Sequence, residues 1–107
     1  MANNYKNAKV DLTTTDATAL YTCPSATTAT IKSILVSEDS GGADTITVTI
    51  TDADADVFSL FKVKAIGANG TVELLTQPLV LTEDEIIKVT AATADRLHVV
   101  ASLLEIN

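Results

Sequence analysis

A chain of 107 residues has room for one packed core without metal or disulfide staples, and its formal charge of −7, with 7 scattered Lys and Arg against 14 Asp and Glu, excludes the clustered cationic surface that phosphate recognition requires. No apolar run is long enough to span a membrane. The opening MANNYKNAKVDL lacks the basic segment and apolar stretch of a secretory signal, and the single Cys23 has no intrachain partner, so the expectation is a protein made in a reducing cytoplasm.

Hydrophobic residues make up 47% of the chain but aromatics only 4%, with no Trp, so the core is built from Val, Ile, Leu and Ala interleaved with Thr. That mixture favours strands. In chain order, alternating or apolar runs predict strands near residues 5–12, 17–23, 29–37, 45–51, 57–64, 71–76, 79–81, 86–91 and 97–106, separated by Gly, Asp, Asn and Pro. Helix signals are almost absent. The first strand is followed by TTTDA, and Cys23 sits at the end of the second, between Thr22 and Pro24, where it reads as a small structural side chain.

SEDSGGAD, residues 37 to 44, reads as a loop in which Gly41 and Gly42 permit positive φ. TITVTI then gives the clearest alternation, with Ile46, Val48 and Ile50 toward a core and Thr45, Thr47 and Thr49 outward. TDADAD places Asp52, Asp54 and Asp56 at every second position, like the opening of a calcium loop. Val57 and Val63 stand where an EF-hand has Gly and Glu, so the preferred reading is a solvated hairpin turn, with cation binding left open. In VFSLFKVK, Phe58, Leu60, Lys62 and Lys64 share one face at period two, either a surface for an acidic partner or a guard against stray strand pairing.

IGANG is another loop. Gln77-Pro78 separates two short strands, and the missing proline N–H puts them at an edge or corner. TEDE, residues 82 to 85, reads as a polar turn rather than a pair of catalytic carboxylates, because a sugar-cleaving cleft needs aromatics and the chain has only Tyr5, Tyr21, Phe58 and Phe61.

DRLHVVASLLEI closes the chain with an unusual strand. Leu97, Val99, Ala101 and Leu103 point to one side, and His98, Val100, Ser102, Leu104 and Ile106 to the other, so neither face is properly polar. The second row requires a cover, either another copy or another protein, or the amino-terminal segment of the same chain. His98 has no His or Cys at metal-ligand spacing and reads as a packed or interface side chain. No catalytic, cofactor or metal site is expected. The candidate interface is Phe58, Leu60, Lys62, Lys64, His98, Val100, Leu104 and Ile106.

ALYTCPSATTATIKSILVSED, residues 19 to 39, is similar to the "YTVPAGTTAVIKSIxVxN" opening of small virion proteins of tailed phages, and LVLTEDEIIKVTAATADRLHVVASLLEI, residues 79 to 106, resembles their closing "LxxGDxIxVxAxxAxxLxVxxSxLEI". Where that pattern has Gly-Asp, this chain has Asp84-Glu85. Alternation and turn spacing predict an all-β fold, an antiparallel β-sandwich of jelly-roll type, as a single domain over 1–107. The resemblance implies a non-enzymatic structural protein of the virion, foremost a capsid decoration or cement protein, with a neck, tail or fibre-base subunit as the alternative. Its implied partners are a phage capsid or neck and tail protein and further copies of itself, a trimer being the leading geometry, with no nucleic acid and no membrane. A small carbohydrate-binding sandwich is the rival from another class, disfavoured by the scarcity of aromatics for stacking on sugar rings.

Overall fold

The structure, a computed structural model, describes residues 2–107. Nine strands are present among them: β1 (Asn3–Asp11), β2 (Thr18–Thr22), β3 (Thr28–Glu38), β4 (Asp44–Thr51), β5 (Val57–Ile66), β6 (Thr71–Glu73), β7 (Leu79–Leu81), β8 (Ile86–Ala91) and β9 (Leu97–Ile106). One sheet has the order β1-β9-β3-β6, with β7 also on β3, and the second has the order β2-β8-β4-β5. Every pairing is antiparallel.

The topology is one long hairpin rolled up. β4 pairs with β5, β3 with β6 and β7, β2 with β8, and β1 with β9, and successive pairs fall alternately in the two sheets. The seams β3·β9 and β4·β8 then join the pairs within each sheet. This is the jelly-roll arrangement expected from the sequence. Gln77-Pro78 does mark an edge: β6 and β7 lie along the same side of β3, opposite residues 35–37 and 29–31, with the proline in the gap between them.

Between the sheets lies a core of aliphatic side chains in which Ile31, Ile34, Val36, Ile46, Val48, Ile87, Val89, Val99 and Ala101 are fully buried. Each comes from an inward position of its strand, as the alternation in TITVTI and IIKVTA dictates. Cys23 belongs to this core. Its Sγ lies 3.3 Å from the Thr27 carbonyl oxygen, and burial pushes the thiol up, so it is a packed side chain and not a reactive thiolate.

Irregular points of the chain are held by carboxylates. Glu38, buried at the end of β3, accepts the N–H groups of Ser40 (2.8 Å), Gly41 (3.1 Å) and Asn69 (2.9 Å) and the Ser40 hydroxyl, and so ties together the β3–β4 and β5–β6 loops. Gly41 has φ of +85°, as the loop reading required, whereas Gly42 is small because the Arg96 guanidinium packs against it. Glu73 supports the bulge in β3 between Ile31 and Ser33 by accepting the Ile34 N–H at 2.8 Å and the Ser33 hydroxyl.

The TEDE turn resolves the Gly-Asp mismatch. Asp84 has φ of +67°, a left-handed conformation where the resembling pattern carries glycine, and its N–H is anchored at 2.9 Å to the Cys23 carbonyl. Asp tolerates that region better than most residues. The same turn closes on itself, since Glu85 accepts the Thr82 N–H at 2.8 Å.

Two outcomes follow. Ile34→Ala, which opens a cavity in a fully buried site, should lower unfolding stability by about 2 to 5 kcal/mol in urea titration. The hydrogen bonds from the Ser40 hydroxyl, then the Asn69, Ser40 and Gly41 N–H groups, hold the Glu38 carboxyl down to about 2 from an ordinary 4.5. The unfolded chain therefore takes up that proton first, and the stability Glu38 contributes, complete above about pH 4.5, drains away as pH falls toward 2. Glu38→Gln should flatten this limb of the stability profile measured by denaturant titration across acid pH.

Candidate assembly interface

The opening puzzle of the last strand has a geometric answer. β9 lies inside its sheet, hydrogen-bonded to β1 on one side and to β3 on the other, with Leu97, Val99, Ala101 and Leu103 turned into the sandwich. The amino-terminal strand lies beside β9, in register from Asn3 opposite Ile106 to Asp11 opposite His98, and not over it. Among the described residues no second layer covers the outer row.

That row continues across the sheet. Leu104 has Tyr5 and Thr30 as its cross-strand neighbours, with Val80 of β7 beyond Thr30; Val100 has Lys9 and Leu35, and Ile106 has Asn3 and Thr28. Tyr5 (77%), Val80 (56%), Leu35 (41%) and Val100 (37%) are the exposed large apolar side chains of this sheet, and all four stand on the outer face. Leu104 and Ile106 are half-buried between them. Lys32, the residue between the two ends of the β3 bulge, reaches over the Tyr5 ring with Nζ 5.8 Å from its centroid, a cation–π contact that frames the patch.

His98 stands at the opposite end of the face. Its Nε2 is 3.3 Å from Asp11 Oδ1 and its Nδ1 3.5 Å from Asp39 Oδ2, so the ring links β1, β9 and the loop after β3. Lys9, Val10, Asp11, His98, Val99 and Val100 line a depression of about 250 Å³ there.

The second candidate surface is rearranged. β5 carries extra residues relative to β4: Lys64 opposes Ile46, Phe61 opposes Val48 and Phe58 opposes Ile50, with register shifts between these pairs. Phe58, Leu60, Lys62 and Lys64 therefore do not form one period-two row, a correction to the sequence reading. Leu60 packs with Phe61 against the core, whereas Phe58, Lys62 and Lys64 stay exposed. The bulge at Val63 has φ of +53°, a conformation a β-branched residue rarely adopts, and its N–H is held at 3.1 Å by the Thr47 hydroxyl. Because the Val63 side chain is 59% exposed, Val63→Gly should relieve backbone strain with little loss of packing and raise stability by about 1 kcal/mol, read as a higher unfolding midpoint.

TDADAD forms a turn. Asp52 Oδ1 accepts the N–H groups of Asp54 at 3.0 Å and Asp56 at 2.9 Å, and Ala55 takes φ of +67°. This carboxylate is committed to its own backbone, and among the described residues no group of three His, Cys, Asp or Glu side chains is placed to hold a metal ion.

One residue escaped the sequence reading. Glu105 continues the inward row of β9 and is 3% exposed, receiving the Tyr21 hydroxyl at 2.6 Å from the opposite sheet and the Lys6 ammonium at 3.0 Å from β1. The Tyr21 hydroxyl and the ammonium hold the Glu105 carboxyl below the usual range, while burial and the carboxylate push the Tyr21 phenol up. The parity of the strand, which puts Glu105 in the core row, was the available signal.

The site defined by this geometry is an open sheet face, half apolar and framed by charge, on a jelly-roll sandwich. No family model and no curated protein matches the sequence. Among solved structures, the chain is similar to one from the acidic stable capsid structure of Helicobacter pylori bacteriophage KHP30, with a TM-score of 0.56 and 12% identity over 100% of this chain and 94% of that one. At that identity the likeness is one of fold.

Proposed function

We propose that this protein is a non-enzymatic structural component of a tailed-phage particle, mounted on the outside of the capsid as a decoration or cement protein. The observation that carries the reading is the fold shared end to end with a chain of a phage capsid structure. The sequence resemblance to small virion proteins supports it independently. The uncovered face of β1, β9 and β3 supplies what such a role needs: Tyr5, Leu35, Val80, Val100, Leu104 and Ile106 form a broad, shallow contact surface rather than a cleft around reacting groups. A protein that binds the assembled shell stabilises it by mass action, and many weak contacts suffice when every lattice position is filled.

Leu104→Asp should leave a folded protomer that no longer joins the particle, because a charge would have to be desolvated in an apolar contact worth roughly 1.5 to 3 kcal/mol per aliphatic side chain. Val48→Asp, at a fully buried core position, should abolish folding. Circular dichroism and co-sedimentation with particles separate the two, and unfolding of both variants alike would assign residue 104 to the protein's own core. Quantitative mass spectrometry of purified particles should give a copy number comparable to the major capsid protein; a few copies per particle would instead support a neck or tail post.

A further inference from the structure

Of the four sheet edges, three are blunted. β2 is five residues long with a register shift between Ala19 and Tyr21. β5 is broken by two register shifts and carries Lys62 and Lys64, while β6 and β7 are three residues each and are interrupted by Pro78. β1 is different. It runs nine residues without a register shift, contains no proline, and is exposed except at Ala8 and Val10.

Hydrogen-bond parity states which backbone groups of β1 are free. Ala2 and Asn107 exchange both bonds, at 2.6 and 3.0 Å, and Leu12 donates to the Leu97 carbonyl at 3.0 Å, so the even-numbered residues of β1 face β9. Asn3, Tyr5, Asn7 and Lys9 therefore direct N–H and C=O away from the sheet, as does the N–H of Asp11, whose carbonyl is taken by Thr13.

We propose that this edge pairs with the same edge of a second copy, antiparallel about a two-fold axis at Asn7, so that two sheets become one continuous sheet across the dimer. In this register Asn7 meets the partner's Asn7, Tyr5 meets the partner's Lys9, and Asn3 meets the partner's Asp11, which matches outward-facing groups with one another. On the other face Lys6 meets the partner's Ala8 and Asn4 the partner's Val10, so no like charges stand opposite. Shifting the axis to Lys6 would set two Lys6 side chains against each other, which is disfavoured for directly opposed strand neighbours. Tyr5 packing along the stem of Lys9 extends the amphipathic framing that Lys32 already gives the ring. The contact is isologous and builds even-numbered assemblies, in place of the trimer implied by the sequence resemblance. It does not depend on the virion role.

The test is sedimentation of the full chain in dilute and concentrated solution. The wild type should shift with concentration from 11.2 kDa to twice that mass. Asn7→Pro, which deletes an outward N–H that the fold does not use, should stay at the protomer mass with an unchanged circular dichroism spectrum, whereas Ala8→Pro, which deletes an N–H facing β9, should lose stability. Amide hydrogen exchange on the wild type reads the same parity without a variant: Tyr5, Asn7 and Lys9 gain protection on concentration, and Ala8 is protected throughout. A wild type that remains monomeric, a threefold mass, or an Asn7→Pro variant that dimerises normally overturns the proposal. So does a monomeric wild type whose Asn7→Pro variant alone fails to bind particles, an outcome that assigns the edge to a strand of another virion protein.

Discussion

The structure depends on β9 being hydrogen-bonded along both sides. A strand flanked by neighbours on both edges must bury at least one face, and β9 does so with Leu97, Val99, Ala101 and Leu103 against the opposite sheet. Its position fixes those of β1 and β3, and through them it fixes what stands on the outer face. Because side chains alternate, the apolar residues at 100, 104 and 106 have no choice but to face outward once the core row is set. The apolar outer face is thus a by-product of the register that makes the core, and a one-residue slip would exchange the two.

Acidity in this chain has two meanings. Part of the net charge of −7 lies in exposed turns and keeps copies soluble. Another part is structural: Glu38 sits at a loop pair and Glu73 at a bulge, each accepting backbone N–H groups that strand pairing leaves over, whereas Glu105 sits within the β1-β9-β3 ladder and accepts side-chain donors, the Tyr21 hydroxyl and the Lys6 ammonium. Burial works against the Glu73 carboxylate, yet the Ser33 hydroxyl and the Ile34 and Leu75 N–H groups outweigh it and hold the group below its ordinary range. Composition alone cannot separate these roles, because the difference lies in whether a hydrogen-bond donor, backbone or side chain, waits within reach of the carboxylate.

Much of the fold was legible because nine short runs, each bounded by turn residues, obey period two, and the strands fall within a few residues of where the alternation put them. What alternation could not supply was bulges. In β5 the extra residues sent Leu60 inward beside Phe61 and broke the surface row that simple parity had drawn through Phe58, Lys62 and Lys64. In β3 a bulge freed Lys32 to reach Tyr5. Bulges leave a weak mark in sequence, since the residue that takes the irregular backbone in β5 is a valine, a type that does not announce a positive φ. On β9, which carries no extra residue of its own and pairs with β1 without a shift, the outer row His98, Val100, Leu104 and Ile106 lies where alternation placed it, and the further members Tyr5, Leu35 and Val80 required knowledge of which strands are neighbours.

The rolled-hairpin topology also sets an order of events in folding. β4 and β5 are joined by a five-residue turn and can pair as soon as both exist, whereas β1 must wait for β9 at the far end of the chain. Closing a longer loop costs more entropy, and pairings distant in sequence form slowly. On that ground the roll is expected to tighten from its tip outward, with β1 docking late. Until then the β1 side of β9 stands open, and a nearly finished sandwich presents an edge that the β1 of a neighbouring copy could fill in place of its own.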